Sequence, residues 1–457
     1  MNAFPRIAFV LLLPIFAAPS LAQDNPAAIK KRKDAHRPKM GYLENGAVKI
    51  GVDLNLGGAI TYLSKSGTDD NLVNNWDWGR QIQMSHYSGP SPFRVEGKAV
   101  AKAWEKFGWN PVQAGDHFGN ASKLIESQND GKTLHVKCVP MQWSLENAPS
   151  ECTFESWFEL DGPTARIRCR LNATRADKTQ YLAYDQELPA LYLNGPYYRL
   201  YSYTGDKPFA NGELTRIEKR PDEPKNFPWS RFLATENWAA LVNDDGWGVG
   251  VWQPGCVSFL GGFAGKPGKG DTKDGPTGYI APVRNEIIDH NIAFEYSYTL
   301  IVGKLDDIRK KAVALAGKPK PPAWKFAKDR QGWTIENAID AGWPIDGAWD
   351  VSLEKPGVHL IGPMSCWWAE DASSLKIDAT FPNSVKRLKV FWATLDKPRF
   401  TEEKSATIDV KPNSDFLSVK LSDFPKYDGA IVRIRIDPIG DVDKRARLLI
   451  KSISLSK

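Results

Sequence analysis

Short runs of alternating apolar and polar residues, rich in β-branched and aromatic side chains, constrain the fold of this chain more than any other feature. Side chains of a strand alternate between its two faces, so such runs predict strands with one face in a core. Turn-forming triplets separate them, for example Asn129-Asp130-Gly131. In the longer, N-terminal part the runs are residues 47–54, 59–64, 133–139, 152–160, 165–171, 238–244, 248–252 and 293–302. The pattern predicts an all-β protein.

One helix and one proline-rich segment divide the chain. LDDIRKKAVALAG, residues 305–317, has aspartates in its first turn and a glycine after its last, which is typical of a helix. KPKPPAW, residues 318–324, has prolines that exclude helix and central strand and suit a stiff linker. Six further strand-like runs follow up to residue 455, at the density of a small β-sandwich. We therefore expect a large β domain over residues 42–317 and a small β-sandwich over residues 325–457.

The N-terminus is typical of an exported protein. Arg6 precedes an apolar run over residues 7–18, and Ser20-Leu21-Ala22 then resembles a cleavage site. We predict a signal peptide over residues 1–22 and a secreted or periplasmic mature chain that begins at Gln23. No later segment offers the roughly eighteen uninterrupted apolar residues of a membrane span, so none is expected.

The charge balance is mildly basic. The chain has 60 basic and 54 acidic residues, a net charge of +6 that falls to +5 without Arg6. Much of the excess lies in KKRKDAHRPK, residues 30–39, which lacks interleaved aromatic residues. We expect residues 23–41 to form a basic flexible tail rather than a nucleic-acid-binding arm, and expect no nucleic-acid partner.

The cysteines match neither CxxC pairs nor a Cys/His zinc pattern, so no metal site and no cofactor is predicted. Cys152 and Cys169 flank the turn at Asp161-Gly162 in near register. A disulfide between them and free thiols at both positions are the two alternatives. The other cysteines are Cys138, Cys256 and Cys366.

The order of these segments resembles secreted carbohydrate-active proteins of the galactose-mutarotase-like, or supersandwich, class. NGAVKIGVDLNLGGAITYLS, residues 45–64, is similar to the first hairpin of that class, where a glycine pair precedes the second strand. The resemblance spans about residues 42–316 and implies a large β-supersandwich domain; it supplies no catalytic pair, because the mutarotase histidine motif is missing. From about Ala327 the chain is similar to jelly-roll carbohydrate-binding modules, best at residues 430–438 and the closing strand KSISL.

One stretch, WDWGRQIQMSHY at residues 76–87, concentrates polar and aromatic side chains without the alternation of a half-buried strand. If it is extended, its period of two places Arg80 and His86 on one face. Gln81, Gln83 and Tyr87 then share the other. Sugar rings stack on indole rings, and their hydroxyls need amide or guanidinium partners. The stretch is therefore either a sugar site or an ordered scaffold loop. As a site it supplies His86 for acid/base chemistry and these substrate-binding candidates: Trp76, Trp78, Arg80, Gln81, Gln83 and Tyr87.

Two other segments carry candidate catalytic groups. GDHFGN, residues 115–120, presents His117 between glycines, and imidazole suits acid/base work near neutral pH. On an extended YLAYDQEL, residues 181–188, Asp185 and Glu187 share a face one pleat apart, near enough to raise the pKa of one carboxyl. A tyrosine-rich continuation adds Tyr198 as a candidate lining residue.

Trp367 and Trp368 are candidate stacking platforms in the small domain.

Together, the resemblance and these candidate residues predict a polysaccharide-active protein that cleaves glycosidic bonds. In hydrolysis, Glu187 or Asp185 donates a proton to the leaving oxygen.

A polysaccharide lyase is the second version of bond cleavage. Arg80 and Gln83 would neutralise the carboxylate of a uronic-acid substrate, and His86, His117 or Tyr87 would take the C5 proton. The alternative class is a glycan-binding or cell-surface structural protein without catalysis. In the catalytic versions, residues 76–87 lie close to His117 and Glu187.

Overall fold

Strands dominate the regular structure, and the all-β prediction is confirmed. The computed structural model describes residues 25–219, 227–411, 414–441, 443 and 445–457. The predicted signal peptide lies outside the described residues. Each of the strand-like runs contains a strand, and the predicted helix is present with Gly317 as its C-terminal cap at φ 67°.

The N-terminal part begins with helix α1 (Pro26–Asp34) and ends with helix α2 (Leu305–Ala316). A short 3-10 helix occupies Lys102–Trp104. Its strands are β1 (Met40–Glu44), β2 (Val48–Asp53), β3 (Ala59–Lys65), β4 (Ile82–Ser85), β5 (Pro111–Val112), β6 (Lys123–Asn129), β7 (Thr133–Val139), β8 (Met141–Gln142), β9 (Cys152–Asp161), β10 (Thr164–Ala173), β11 (Tyr184–Asn194), β12 (Arg199–Ser202), β13 (Thr215–Ile217), β14 (Trp229–Leu233), β15 (Trp238–Val242), β16 (Trp247–Trp252), β17 (Ser258–Ala264), β18 (Thr277–Glu286) and β19 (Ala293–Lys304).

The C-terminal part consists of strands and two short 3-10 helices, Ala369–Asp371 and Leu421–Asp423. Its strands are β20 (Ala323–Lys325), β21 (Thr334–Glu336), β22 (Trp349–Ser352), β23 (His359–Ile361), β24 (Trp367–Trp368), β25 (Ser374–Thr380), β26 (Val385–Thr394), β27 (Ser405–Asp409), β28 (Phe416–Lys420), β29 (Ala430–Gly440) and β30 (Arg447–Ser456).

Four antiparallel sheets, two in each part, contain these strands in the described ranges. Sheet 1 has the order β1-β2-β3-β4-β11-β18-β17-β14, with β5 and β8 attached beside β4. Sheet 2 has the order β13-β12-β15-β16-β19-β10-β9-β7-β6. In the C-terminal part, sheet 3 runs β20-β30-β25-β28 with β22 on β30, and sheet 4 runs β21-β23-β29-β26-β27 with β24 on β29.

Each part has its own hydrophobic core. Apolar residues of β4, β11 and β18 in sheet 1, such as Met84, Leu191 and Ile280, cluster with Ile167 and Leu300 of sheet 2. A second cluster lies between sheets 3 and 4 and also includes Ile287, which follows β18. The two parts are therefore in direct apolar contact.

Helix α2 covers the outside of sheet 2. It buries Ile308 and Ala312 against β15, β16 and β19. A Cβ atom at Gly250 on β16 would lie 2.3 Å from a methyl carbon of Ile308, so only glycine permits this close approach.

Within the predicted flexible tail, residues 23–41, the structure describes residues 25–41, and these differ from the prediction. From Pro26 to Asp34 the chain forms α1, because the Asn25 side chain accepts a hydrogen bond from the Ala28 amide and proline fits the first helical turn. Arg32 of this helix also forms an ion pair of 2.8 Å with Glu146. The basic residues are therefore docked on the N-terminal part, although most remain exposed.

One open alternative is resolved by the structure, and one further expectation needs correction. Cys169 pairs with Ser156 and Cys152 with Ala173 across β9 and β10, so the two thiols are out of register and no disulfide forms. The proline-rich segment is shorter than predicted, because Ala323 already pairs with Ser454 in sheet 3.

Candidate active site

The outer face of sheet 1, which points away from sheet 2, carries the candidate site. Along β11 the side chains alternate: Leu188 and Leu191 enter the main core, whereas Glu187 lies on the opposite face. A β-bulge helps to set this arrangement. Glu187 pairs with Ser85 of β4, and Ala190 pairs with Gln83 of β4. The chain advances three residues on β11 but only two on β4, so β11 contains one extra residue. Glu187 and Ala190 consequently share the outer face.

Glu187 is held by two phenols from neighbouring segments. Tyr87, just after β4, donates a hydrogen bond of 2.8 Å to Oε2, and Tyr279 of β18 donates one to Oε1. Burial raises the pKa of Glu187, the two tyrosine hydrogen bonds oppose that effect, and the nearby Asp185 charge adds to it. The pKa remains above its ordinary value, so the carboxyl retains a proton to higher pH than a free glutamate.

Aromatic rings surround this carboxyl. The ring of Tyr279 lies 4.7 Å, centroid to centroid, from both Tyr192 of β11 and Trp229 of β14, with tilts of 42° and 39°. Burial raises the pKa of Tyr87, Tyr192 and Tyr279 well above the usual value, and the Glu187 charge contributes in each case. All three phenols therefore stay protonated, and those of Tyr87 and Tyr279 donate hydrogen bonds to Glu187.

A cavity of about 490 Å³ opens over this region, lined in part by Tyr87, Glu187 and Leu260. Asp185 lies on its wall, where Arg231 forms an ion pair of 2.5 Å with Oδ2 and the Asn285 amide donates to Oδ1 at 3.2 Å. Asp185 and Glu187 thus share one face, as the sequence predicts. One carboxyl has a raised pKa and the other is paired with a guanidinium, an arrangement that suits proton transfer.

A second cavity, of about 230 Å³, continues from the first. The two share Asp185, Arg231, Val283 and Asn285 in their walls. The smaller one is closed on its far side by residues of the C-terminal part. The site therefore lies where the two parts of the chain meet.

Most of the stretch at residues 76–87 supports the backbone instead of facing a ligand. Gln83 is 2% exposed; its amide donates to the Trp78 carbonyl at 2.9 Å and accepts from the Ala114 amide at 2.8 Å. Gln81, also buried, donates to the Asp77 carbonyl. Trp78 is buried, with its ring edge-on to His36 beyond the end of α1 and 6.0 Å from the Lys33 ammonium.

The prediction that His86 contacts substrate is wrong, because its ring lies inside the main core. It is fully buried and edge-on to Phe154, Phe294 and Tyr296, and Nδ1 lies 3.1 Å from Oε1 of Gln186. Burial lowers the pKa of His86 to about 4, so the ring is neutral at physiological pH. A strand places successive side chains on opposite faces, which separates His86 from Tyr87.

Arg80 and His117 stand outside both cavities. Arg80 donates to the Gly275 carbonyl at 2.6 Å and is half-buried, so it is committed to the adjoining loop. His117 packs edge-on against Phe118 and Trp143. Tyr87 and Glu187 are thus brought together as predicted, whereas His117 does not line the cavities that contain Glu187.

The remaining candidates are dispersed. Trp76 is 55% exposed on its loop. Tyr198 follows the C-terminal end of β11, away from Glu187, and its hydroxyl donates a hydrogen bond to Asp244. In the C-terminal part Trp367 is buried and its indole donates to Tyr427, whereas Trp368 is half-buried. Of these two, Trp368 alone retains exposed surface.

Sequence reasoning missed Tyr279, Arg231 and Asn285. β18 is covered on both faces, so it shows no alternation, and it also contains Gly278 and Pro282. Only the folded arrangement identifies the β18 residues, because β18 is the hydrogen-bonded neighbour of β11 and Asp185 pairs directly with Asn285.

No protein-family model and no curated protein matches this chain. Among solved structures, it is similar to a putative aldose 1-epimerase from Escherichia coli K12, with 12% identity, a TM-score of 0.37 and coverage of 59% of this chain and 100% of that chain. A galactose-mutarotase-related enzyme from Lactobacillus acidophilus has 11% identity, a TM-score of 0.37 and coverage of 58% and 97%. A low-affinity xylan-binding module from Roseburia intestinalis has 11% identity, a TM-score of 0.23 and coverage of 30% and 96%.

These are proteins of the mutarotase-like and carbohydrate-binding classes that the sequence resembles, but similarities this low assign neither a ligand nor a reaction to this chain. Within the described residues, no group of three or more metal-ligating side chains comes together, and no helix is long and apolar enough to cross a membrane.

Proposed function

We propose that this is an exported polysaccharide-active enzyme that cleaves glycosidic bonds on the outer face of sheet 1, with Glu187 as the group that transfers the proton. One observation carries the proposal. Glu187 lies in a cavity of about 490 Å³, accepts hydrogen bonds from Tyr87 and Tyr279, and shares its face with a second carboxylate, Asp185.

The chemistry follows from the two carboxyl environments. Glu187 has a raised pKa because it is buried, so it keeps a proton available for the oxygen of a leaving sugar. Asp185 is paired with Arg231, and its side chain is about half exposed, at 49%. In hydrolysis Glu187 is the acid, and Asp185 is the second carboxylate that activates water or stabilises positive charge on the sugar.

The aromatic surroundings support a sugar as the substrate. Tyr192, Tyr279 and Trp229 form a continuous aromatic patch beside the carboxyl, and Trp229 retains exposed surface. Apolar faces of pyranose rings pack on such rings, while phenolic and amide groups bind their hydroxyls. A role of the C-terminal part in adhesion to glycan rests on Trp368.

Elimination from a uronic-acid polymer is the second candidate reaction, because arginines line the adjoining cavity. There the ionised form of Glu187 takes the C5 proton, the C4–C5 double bond forms as the C4–O bond breaks, and the leaving oxygen accepts that proton back from Glu187. A guanidinium neutralises the substrate carboxylate. The two reactions give different products: hydrolysis yields saturated reducing ends, whereas elimination yields an unsaturated uronide.

The test is incubation of the mature chain with neutral and uronic-acid polysaccharides, with reducing ends and unsaturated products measured in parallel. Glu187→Gln keeps the shape of the side chain and is expected to lower turnover by at least about a hundredfold. Tyr198→Phe, which removes a phenol away from the cavity, is the matched control and is expected to leave turnover unchanged.

A protein that binds glycans from the panel but releases no product would be a binding protein, and the catalytic proposal would be wrong. Export has its own test, since mass spectrometry of mature material should find Gln23 as the first residue.

A further inference from the structure

The cavity of about 230 Å³ beside Glu187 has an unbalanced charge. Its wall contains three arginines and one carboxylate: Arg231, Arg284, Arg433 and Asp185. The first two arginines and Asp185 come from sheet 1, whereas Arg433 comes from β29 of sheet 4. The cavity is therefore built by both parts of the chain and carries excess positive charge.

Two of these arginines already have carboxylate partners. Arg231 pairs with Asp185 at 2.5 Å, and Arg284 pairs with Glu286 at 2.8 Å. These pairs neutralise the sheet 1 side of the cavity. The excess positive charge of the cavity is therefore that of Arg433 on β29.

Arg433 is different. Its Nε donates to the Gly362 carbonyl at 2.7 Å, which fixes the guanidinium, but no carboxylate of the described residues lies within 4 Å of it. Burial lowers the pKa of Arg433, and the more distant charges of Asp185 and Glu336 oppose that effect. A largely buried guanidinium without a close counter-ion is costly unless an anion accompanies it.

A buried ion-pair network joins the C-terminal part, which carries Arg433, to the segment that follows β18 of sheet 1. Arg330, which is 5% exposed, binds Asp289 after β18 at 2.6 Å and Asp340 in the C-terminal part at 2.8 Å. Ile287 packs in the C-terminal core beside it. Such contacts pre-organise the cavity, so a ligand does not have to order it.

We propose that this cavity is a subsite for the carboxylate of a uronic-acid residue, bound by Arg433, while the sugar ring occupies the adjoining larger cavity beside Glu187. The inference rests on the proposed function and names its substrate class as an acidic glycan. A planar guanidinium binds a carboxylate through two parallel hydrogen bonds, which a neutral hydroxymethyl group at the same position does not replace. The C-terminal part thus contributes a specificity residue to the site.

The experiment measures binding, so it does not depend on turnover. Calorimetry on the full-length mature chain with Glu187→Gln would compare tetrasaccharides of galacturonate, glucuronate and mannuronate with their neutral counterparts and with a sulfated tetrasaccharide. At least one uronate is expected to bind at least about tenfold more tightly than its neutral counterpart. Arg433→Gln is expected to remove that preference and to leave neutral binding unchanged.

Arg435→Gln is the matched control, because Arg435 lies on the same strand, is paired with Asp437 and lines a different cavity. It is expected to keep the preference for uronate. Equal binding of acidic and neutral sugars, or an equal loss in both variants, would overturn the subsite. A preference for the sulfated sugar over every uronate would overturn the carboxylate assignment.

The outcomes separate this inference from the proposed function. Cleavage of a neutral glycan that needs Glu187 but not Arg433 would leave the function and remove the subsite. Uronate binding that needs Arg433, without cleavage by the unsubstituted chain, would leave the subsite and remove the reaction. Absence of both binding and cleavage across the panel would overturn both.

Discussion

The phenolic oxygen of Tyr87, two residues past the end of β4, lies 2.8 Å from Oε2 of Glu187 on β11, and this contact crosses the outer face of sheet 1. Tyr279 of β18 occupies the other carboxyl oxygen. Hydrogen bonds donated to a carboxylate stabilise its ionised form, so the tyrosines hold down a pKa that burial raises. The protonation of Glu187 is therefore set by two neighbours that can be changed separately.

Removing either hydroxyl should raise the pKa of Glu187 further. If Glu187 is the acid, activity is lost as pH rises through its pKa, so Tyr87→Phe and Tyr279→Phe should move the alkaline limb of the kcat/KM profile to higher pH. A fall of roughly tenfold in kcat is also expected where the lost donor stabilises developing negative charge. A pH-rate profile of each variant measures both effects.

Tyr198→Phe again supplies the control, because its hydroxyl binds Asp244 away from Glu187. Its profile should overlay that of the unsubstituted chain. An alkaline limb that stays in place in both Tyr87→Phe and Tyr279→Phe would show that Glu187 is not the group observed.

Gln83 should behave as scaffold, in contrast to Glu187. Gln83→Ala leaves the Ala114 amide and the Trp78 carbonyl buried without their partner, which should cost about 2–4 kcal/mol of the free energy of unfolding. Urea denaturation measures this loss. Gln128→Ala, at an exposed amide on β6, should change stability by less than about 0.5 kcal/mol. Lost turnover with unchanged stability in Gln83→Ala would return this residue to the site.

Much of the fold follows from the sequence because a period of two is a local property. Runs such as residues 152–160 and 165–171 have one buried and one more exposed face, so the alternation in their sequence identifies β9 and β10 as strands. β4, β11 and β18 show no such alternation, since both of their faces are largely covered. The strands that carry the site are thus the least visible in the sequence.

One part of the site was predictable from the two-residue period of a strand. Asp185 and Glu187 share a face because they are two residues apart, and that follows from strand geometry alone. The polar groups of residues 76–87 were misleading, because an amide that binds backbone has the same composition as one that binds sugar. The partner of Gln83 lies 31 residues along the chain, and only the folded arrangement identifies it.

The buried His86 should make stability fall in mildly acidic solution. Its pKa is lowered from 6.5 to about 4 in the folded protein, so the unfolded chain binds the proton more tightly. The contribution of His86 is fully present above pH 6.5 and is lost as pH falls towards 4. Between pH 7.5 and 4.5 the loss should be roughly 2–3 kcal/mol.

His86→Phe removes this titration and retains an aromatic ring among Phe154, Phe294 and Tyr296. The difference in unfolding free energy between the two pH values should be smaller for this variant by about that amount. His290→Gln, at a partly exposed histidine, serves as control. Equal pH dependence in the unsubstituted chain and His86→Phe would show that His86 is not neutral in the folded state.

The ion pairs of Arg330 should couple the two parts of the chain both in stability and in ligand binding. Arg330→Met leaves Asp289 and Asp340 buried without their guanidinium, which should cost about 3–5 kcal/mol of unfolding free energy. The control is Lys328→Met, two residues before Arg330, which removes an exposed ion pair with Asp346. It should cost less than about 1 kcal/mol of unfolding free energy. The ion pairs of Arg330 also join the C-terminal part, which carries Arg433, to Asp289 beyond β18. We therefore expect Arg330→Met to weaken uronate binding at a temperature where the variant is still folded, although Arg433 itself is unchanged. Urea denaturation and calorimetry on the same preparations measure the two effects. A variant that loses stability but binds uronate with full affinity would show that the position of Arg433 does not depend on this network.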